Sequence, residues 1–270
     1  MSNKERTARF RALHAPGGIL VLPNAWDAGS ARLMEVAGAK AIATSSAAVS
    51  WAHGSADGQT IAPETLLRTV VEIVRVTAVP VSVDAEAGLD KTPQGVAAFV
   101  MRLCEAGASG INLEDGTDSP DLLAAKIAAI KQAARQAGTD IFINARCDVY
   151  LRKLADGDAA LAEVLRRGAL YRDAGADGLF VPGVADEAVI SQIAQTIDLP
   201  LNVLGWPGLP AGSALKAAGV RRVSAGAGIA RAALGAALRA AHQMLREGRY
   251  ETIAQEADGL PNMNGLFIAP

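Results

Sequence analysis

Short apolar runs alternate with longer segments of helical periodicity along most of the chain. Runs such as "VPVSVDAEAG" and "TDIFINARCD" have the composition of buried strands, and each ends in polar or small residues. The segments between the runs are rich in Ala, Leu and charged residues at helical spacing. This alternation predicts an α/β protein with a parallel sheet.

One unit recurs four times, as "LMEVAGAKAIATSS", "LCEAGASGINLED", "YRDAGADGLFVPG" and "LKAAGVRRVSAG". In each copy a helix end is closed by a glycine suited to the left-handed conformation, and a short apolar strand follows. Together with the apolar runs between the copies, this predicts eight strands, at residues 19–22, 41–44, 80–84, 110–113, 141–145, 178–182, 200–204 and 222–224.

Eight strands separated by helices close most simply as a (β/α)8 barrel of the TIM type. A doubly wound sheet has the same alternation, but the segment "LPNAWDAGS" after the first strand lacks the GxGxxG pattern of dinucleotide-binding proteins. No shift in composition marks a linker. We therefore expect residues 1–270 to form one barrel domain.

Composition narrows the class of partner. The chain has 270 residues and a formal net charge of -2, with charges scattered rather than clustered, so we expect neither a nucleic-acid nor a membrane partner. The two cysteines form no metal-binding pattern, and no segment has the length and apolarity of a signal peptide or a membrane span. These features predict a cytoplasmic protein that binds a small molecule.

Polar side chains lie at several predicted carboxyl ends of strands, which is where barrels of this type place their active sites. Asp84 and Glu86 follow the third strand two positions apart, so they would face the same side if the extended geometry continued. Glu114 ends the fourth strand and Arg146 the fifth. The other candidates at this rim are Ser45 and Ser46 after the second strand and Asn202 in the seventh.

Carboxylates crowded near one arginine resist ionising together unless a cation lies among them. Mg²⁺ prefers oxygen ligands of this kind and keeps several of its waters. The planar guanidinium of Arg146 suits a substrate carboxylate or phosphoryl group. Each acid alone is more readily explained as a helix cap or a solvated loop residue than as a ligand, and Asp115 and Asp148 in particular could cap a helix or orient a neighbour. The combination at three strand ends favours an active site.

The chain resembles the isocitrate lyase and phosphoenolpyruvate mutase superfamily, which includes 2-methylisocitrate lyases and carboxyphosphonoenolpyruvate phosphonomutases, over essentially its whole length. "DAEAG" after the third strand resembles the DxD metal motif of the family, "ED" at Glu114 and Asp115 matches a motif after the fourth strand, and "ARCD" matches one after the fifth. The segments "PNAWDAGSARLMEVAGAKAIATSSAAV" and "HGSADGQ" also resemble the first two barrel units of the family.

The resemblance implies a Mg²⁺ ion that holds an α-oxocarboxylate or its enolate. It implies Asp84 as the direct metal ligand, and Asp57, Glu86 and Glu114 as residues that hold metal-bound waters. It implies catalytic roles for Arg146, Glu114 and Asp57. The residues that it implies for substrate binding are Arg146, Asn202, Ser45, Ser46 and Ala47.

The resemblance also implies a homo-oligomer, either a dimer or a tetramer. In relatives a C-terminal helix is exchanged between subunits, and the Ala-rich stretch "AGIARAALGAALRAAHQML" is the matching segment here. Independently of the family, "SAGAGIA" after the last strand begins a helix whose free N–H groups could bind a phosphate.

Three departures from the family pattern bear on the reaction. Glu86 replaces the second aspartate of the metal motif, and Ala43 stands where the family usually has Tyr or Trp. The segment "EDGTDSPDLLAAKIAAIK" lacks the K-[KR]-C-G-H sequence whose cysteine serves the lyases as an acid or base. Because cleavage of isocitrate needs such a proton donor, the sequence favours decarboxylation of a small α-oxo acid such as oxaloacetate.

Several alternatives stay open at this point. One is a 2-methylisocitrate lyase, or an enzyme acting on a carbon–phosphorus bond as in phosphonopyruvate, that uses a different acid. Another is a non-catalytic α-oxo acid binding protein that has kept the metal rim. Aldolases that use a Schiff base or zinc are disfavoured, since no lysine falls at a predicted strand end and the three histidines form no cluster.

Overall fold

The computed structural model describes residues 2–268, and in this part of the chain nine parallel strands form one sheet. The strands lie in the order β1-β9-β8-β7-β6-β5-β4-β3-β2. Their bounds are β1 Leu20–Leu22, β2 Asn24–Ala25, β3 Ile42–Thr44, β4 Val81–Asp84, β5 Gly110–Glu114, β6 Phe142–Arg146, β7 Gly178–Phe180, β8 Leu201–Leu204 and β9 Val220–Ser224.

Helices separate most of the strands and surround the sheet. Their bounds are α1 Asn3–Ala12, α2 Ala28–Val36, α3 Ser46–Ala52, α4 Pro63–Val76, α5 Pro93–Glu105, α6 Pro120–Gln136, α7 Gly157–Asp173, α8 Glu187–Thr196, α9 Gly212–Ala217, α10 Gly228–Glu247 and α11 Glu251–Glu256, and a 3-10 turn covers Asn264–Leu266. The helices bury apolar stripes against the strands, as α4 does with Leu66, Val70 and Ile73.

The sheet closes through the first predicted strand, which Pro23 divides in two. β1 pairs with β9, and β2 pairs with β3. Proline has no N–H to donate to a sheet, but its carbonyl still accepts from the Ala43 amide at 3.0 Å. The two short strands therefore occupy one barrel position. All eight predicted positions contain strand, and the TIM-type α/β fold is confirmed.

Helix α1 covers the end of the barrel where the strands begin. Phe10 is fully buried, and its ring lies 5.3 Å from that of Phe142 at the start of β6. The His14 ring stacks on that of Phe142, with ring centroids 4.4 Å apart. Close to this aromatic cluster, Arg11 donates to Asp140 and Asp177, which precede β6 and β7. This end of the barrel is thus closed by packed aromatic rings and paired charges.

The C-terminal helix α10 packs only lightly on the rest of the chain. Ala230 is its one buried residue, and Leu234, Leu238 and Leu245 are 55%, 57% and 79% exposed. Among the described residues, no helix combines the length and the apolar character that crossing a bilayer requires. The cytoplasmic location stays a prediction.

Candidate active site

Four of the predicted site residues come together where strands β4, β5 and β6 end. Glu114 and Arg146 are the paired last residues of β5 and β6, and Asp84 ends the neighbouring strand β4. Glu86 lies just beyond β4, and the charges of these four residues influence one another. The parallel register therefore gathers these acids and the arginine at one mouth of the barrel.

Asp84 has a carboxylate that is only partly satisfied. The residue is 8% exposed, and its Oδ2 accepts a hydrogen bond of 3.0 Å from the Ser46 amide. Its own amide donates to Thr44 Oγ1 at 2.8 Å, which fixes the end of the strand. Oδ1 is buried and has no hydrogen-bond partner among residues 2–268. A buried carboxylate oxygen without a partner costs folding free energy, and it is well suited to ligate a cation.

Glu86 does not have the extended backbone conformation that we expected from the sequence. The strand ends at Asp84, and Glu86 has a φ of +50°, so the extended geometry does not continue. The following turn needs Gly88, because its φ is +101° and a Cβ there would lie 2.6 Å from the Val96 side chain. The Glu86 carboxylate accepts a hydrogen bond of 2.5 Å from the backbone amide of Gln59.

The pKa of Glu86 is raised to about 7, mainly by burial and also by the neighbouring charges of Asp84 and Asp57, while the hydrogen bond from Gln59 opposes the rise. Asp57 is exposed, on the loop between α3 and α4 that also carries Gln59. This loop passes beside Glu86, so the structure places Asp57 at the outer edge of the same acidic group.

Arg146 is held between two carboxylates. Its Nη1 lies 2.6 Å from Glu114 Oε2, and its Nε and Nη2 donate to the two oxygens of Asp148 at 2.6 and 3.0 Å. Burial nevertheless raises the pKa of Glu114 to about 8, because Arg146 only partly offsets burial and the charges of nearby acids. These contacts leave two of the five N–H groups of Arg146 without one of these partners.

A second layer of polar residues holds Arg146 in place. Asp115 is buried and accepts hydrogen bonds from Arg167 Nη1 at 2.8 Å, from the Tyr171 hydroxyl at 2.6 Å and from the Asp148 amide at 2.9 Å. Asp148 in turn binds Arg146. The sequence left open whether these two aspartates cap helices or orient a neighbour, and the contacts show that they orient one.

The predicted substrate-binding residues lie in two different environments. Ser45 caps helix α3, with its hydroxyl accepting from the Ala48 amide at 3.5 Å, and Ser46 and Ala47 form the first turn of that helix beside Asp84. Asn202 is fully buried, and its side-chain Nδ2 donates a hydrogen bond of 3.3 Å to Ser224 Oγ. Its contact with a substrate therefore stays a prediction.

Two buried cations inside the barrel wall were not predicted from the sequence. Arg222 in β9 is fully buried in the barrel interior, where Nη2 donates to Asn112 Oδ1 at 3.1 Å, while Nε and Nη1 have no hydrogen-bond partner within residues 2–268. Lys126 in α6 is 2% exposed, and its Nζ donates to the Ala87 carbonyl at 2.8 Å, next to Glu86. The signal for Lys126 was a lysine within the otherwise apolar run "LLAAKIAAI".

The acids of the mouth do not form a closed cage. In residues 2–268, no three His, Cys, Asp or Glu side chains are grouped so that they could together hold a metal ion. This arrangement is compatible with an ion that has few direct protein ligands, because Mg²⁺ commonly keeps several waters. The unpartnered Asp84 oxygen is the atom that fits direct ligation.

Comparison with known proteins identifies the family. The sequence profile of the phosphoenolpyruvate phosphomutase family matches residues 10–245. The chain therefore belongs to the isocitrate lyase and phosphoenolpyruvate mutase superfamily.

Solved structures and named relatives agree with this assignment. A Burkholderia cenocepacia J2315 protein provisionally named a lyase/mutase is 37% identical, with a TM-score of 0.89, 99% of this chain covered and 97% of that chain. A protein from the same organism provisionally named a phosphonomutase is 40% identical, with a TM-score of 0.85, 88% of this chain covered and 100% of that one. An oxaloacetate decarboxylase from Ectopseudomonas mendocina is 31% identical over 261 residues, which cover 92% of this chain and 86% of that protein.

Proposed function

We propose that the protein is a Mg²⁺-dependent enzyme that breaks or forms a bond at C3 of a small α-oxo acid, with decarboxylation of oxaloacetate as the favoured reaction. The observation that carries the proposal is the buried Asp84 oxygen without a partner, next to two glutamates whose pKa values are raised. The similarity to an oxaloacetate decarboxylase over most of the chain supports this choice among the reactions of the superfamily.

The donor set at the mouth fits Mg²⁺. In this proposal Asp84 ligates the ion directly, and Asp57, Glu86 and Glu114 hold its waters. When bound, the ion would polarise the 2-oxo group and offset the negative charge that develops during bond cleavage. Glu86 and Glu114 would ionise in its presence, since a nearby divalent cation favours the carboxylate form.

The residues of the chain would orient the substrate. Arg146, fixed by Asp148, would direct its remaining N–H groups to the substrate, and the first turn of α3 would offer the backbone amide of Ala47 to the substrate carboxylate. In oxaloacetate the C3–C4 bond breaks, CO₂ leaves and the electron pair stays on the 2-oxo acid as an enolate. A water at the mouth then supplies the proton to C3, and pyruvate is released.

The short connection between β5 and α6 argues against cleavage of isocitrate. It runs from Asp115 to Ser119 and contains no cysteine, and α6 begins directly at Pro120. The two cysteines of the chain, Cys104 and Cys147, are both buried. A positioned general acid typically contributes about 10² to 10⁴ in rate, so we expect negligible turnover of isocitrate and 2-methylisocitrate.

A Mg²⁺-dependent activity panel tests the proposal. Oxaloacetate, isocitrate, 2-methylisocitrate and phosphonopyruvate are each assayed with Mg²⁺ and with a chelator, and the Asp84→Asn variant corrects for metal-catalysed loss of CO₂ in solution. We expect pyruvate from oxaloacetate only. Rapid turnover of a methylisocitrate or of phosphonopyruvate would instead support one of the alternative enzymes. Mg²⁺-dependent binding of oxaloacetate without turnover would favour the non-catalytic binding protein.

We also propose that α10 packs on a second copy of the chain in a homo-oligomer. The exposed Leu234, Leu238 and Leu245 support this assembly, since a row of large apolar side chains on one helix is unusual on a free surface. Light scattering on the parent and on the Leu234→Glu/Leu238→Glu double variant tests it. A parent protein that elutes as a monomer would contradict it.

A further inference from the structure

We propose that Arg152 determines specificity by binding the distal carboxylate of a dianionic α-oxo acid. The inference rests on the proposed function, because it assigns a role to a residue at the same mouth. Neither the strand-end pattern nor the family motifs pointed to this arginine, which lies in the turn after β6.

Arg152 lies close to two acidic residues of the site, Asp148 and Glu114. Its Nε donates to Asp148 Oδ2 at 2.9 Å, and its backbone amide donates to the Asp148 carbonyl at 2.9 Å, so the turn holds it in place. Its Nη2 lies 3.8 Å from Glu114 Oε1, which is an ion-pair distance but too long for a hydrogen bond. The guanidinium is therefore fixed at the mouth by one contact and attracted by a second carboxylate.

The two arginines of the mouth differ in what they can still bind. The Arg146 side chain is 15% exposed and has three nitrogens engaged by carboxylates, whereas the Arg152 side chain is 43% exposed. In the described part of the chain, Arg152 donates only through Nε, so its four Nη hydrogens have no acceptor. A guanidinium with both Nη groups free can bind a carboxylate through two parallel hydrogen bonds.

Arg152 also lies beside the short connection between β5 and α6. A Cβ on Gly116, the second residue of the short β5–α6 connection, would lie 3.8 Å from Arg152 Nη2 and 3.9 Å from Glu114 Oε1. The β5–α6 connection therefore passes close to both the Glu114 carboxylate and the Arg152 guanidinium. Because α6 begins only four residues later, at Pro120, the connection is too short to extend far over the mouth.

Charge balance indicates the class of substrate. Asp84, Glu86 and Glu114 surround the position proposed for the ion, and a substrate with two carboxylates adds two more negative charges. Glu114 and Asp148 engage three nitrogens of Arg146, whereas within residues 2–268 Arg152 donates a hydrogen bond to Asp148 alone. A second, partly exposed arginine compensates a distal carboxylate, whereas a monocarboxylate such as pyruvate has no group for it to bind.

The same geometry predicts how Arg152 affects decarboxylation. The distal carboxylate loses its charge as it leaves as CO₂, so a cation on it stabilises bound substrate more than the transition state. Removing Arg152 should therefore raise KM for oxaloacetate while leaving kcat unchanged or slightly higher. A residue that only maintained the structure of the mouth would lower kcat as well.

The experiment compares two ligands that share the 2-oxo acid end, pyruvate and 3,3-difluorooxaloacetate, by calorimetry in saturating Mg²⁺. The proteins are the parent, Arg152→Gln, Arg152→Lys and the control Arg135→Gln, which removes an exposed arginine in the last turn of α6, at the opposite end of the barrel from the mouth. We expect Arg152→Gln to weaken binding of the dianion about tenfold and of pyruvate less than twofold, and Arg152→Lys to weaken dianion binding less. The control should match the parent.

The outcomes separate this inference from the proposed function. If the parent binds both ligands and Arg152→Gln weakens neither, or weakens both equally, the inference is wrong and the proposed function stands. If the parent binds neither ligand in Mg²⁺, the proposed function fails and the inference fails with it. A fall in kcat with unchanged KM for oxaloacetate in both Arg152 variants would also overturn the inference.

Discussion

Charged side chains gather at both ends of the barrel, but they have different partners at each. Where the strands begin, Asp177 lies 2.5 Å from Arg11 and 2.5 Å from Lys131, and it also accepts from the Ile143 amide. Where the strands end, Asp84 has a buried oxygen without a partner, and burial holds the pKa of Glu114 near 8. The paired charges at the closed end have their partners within the chain, whereas at the mouth one Asp84 oxygen has no partner within residues 2–268.

The difference separates what maintains the fold from what is arranged for a ligand. Buried charges without partners lower the free energy of unfolding, whereas paired and hydrogen-bonded charges do not impose that cost in full. We therefore expect substitutions at the closed end to reduce stability and spare ligand binding. We expect substitutions at the mouth to have the opposite effect.

The largest effect on stability should come from the aromatic cluster at the closed end. Phe10→Ala removes a fully buried ring that packs against Phe142 and His14, and large-to-small changes of this kind cost about 3 to 5 kcal/mol. Urea unfolding measures the loss, and oxalate binding in Mg²⁺ by the folded variant should match the parent. A loss below about 1 kcal/mol would contradict the importance of this cluster.

A smaller effect should depend on pH through His14. Its Nδ1–H donates to the Phe10 carbonyl at 2.9 Å, and burial, together with the charges of Arg222 and Arg11, lowers its pKa to about 3. The unfolded chain takes up this proton near pH 6.5 and the folded chain only near pH 3, so stability falls as pH drops through this window.

At pH 5 the His14 contribution amounts to about 2 kcal/mol of lost stability, taking 1.5 units below the unfolded pKa at about 1.4 kcal/mol each. His14→Leu should reduce the difference in unfolding free energy between pH 7 and pH 5 by about this amount. The control His53→Gln changes an exposed histidine outside the aromatic cluster and should leave the difference as it is in the parent. Equal pH dependence in all three proteins would contradict the buried, neutral state of His14.

The smallest effect should follow from Lys126→Met at the mouth. The substitution removes the hydrogen bond to the Ala87 carbonyl and so loosens the turn that carries Glu86. We expect oxalate binding in Mg²⁺ to weaken several-fold, equivalent to about 1 kcal/mol, the usual worth of one hydrogen bond. Lys40→Met, at an exposed lysine, is the matched control. Unchanged affinity in Lys126→Met would mean that the turn holds its conformation without the lysine.

The sequence predicts the features of this molecule that depend on local pattern. Strand positions follow from apolar runs and glycine-terminated helices, and the gathering of Asp84, Glu114 and Arg146 follows from the rule that parallel strands end together. The turn at Glu86 was not predictable in the same way, because residues other than glycine rarely adopt a positive φ and nothing in the sequence marks Glu86 as an exception.

Contacts between segments far apart in the chain were the main feature that the sequence could not predict. Asp115 is 52 residues from Arg167 and 56 from Tyr171, and no periodicity relates these positions. Arg222 alternates along its strand with a half-buried neighbour, so its side chain could have faced either the barrel interior or the helices. Only closure of the barrel determines that it lies in the interior, beside Asn112.

The most direct test of the contrast between the two ends is calorimetric titration of oxalate, in Mg²⁺, into Asp84→Asn and Asp177→Asn. We expect no measurable binding by Asp84→Asn, with an unfolding free energy within about 1 kcal/mol of the parent, because the substitution removes an unsatisfied buried charge. We expect parent-like binding by Asp177→Asn despite a loss of about 2 to 3 kcal/mol in stability. Parent-like affinity in a folded Asp84→Asn variant would contradict the account.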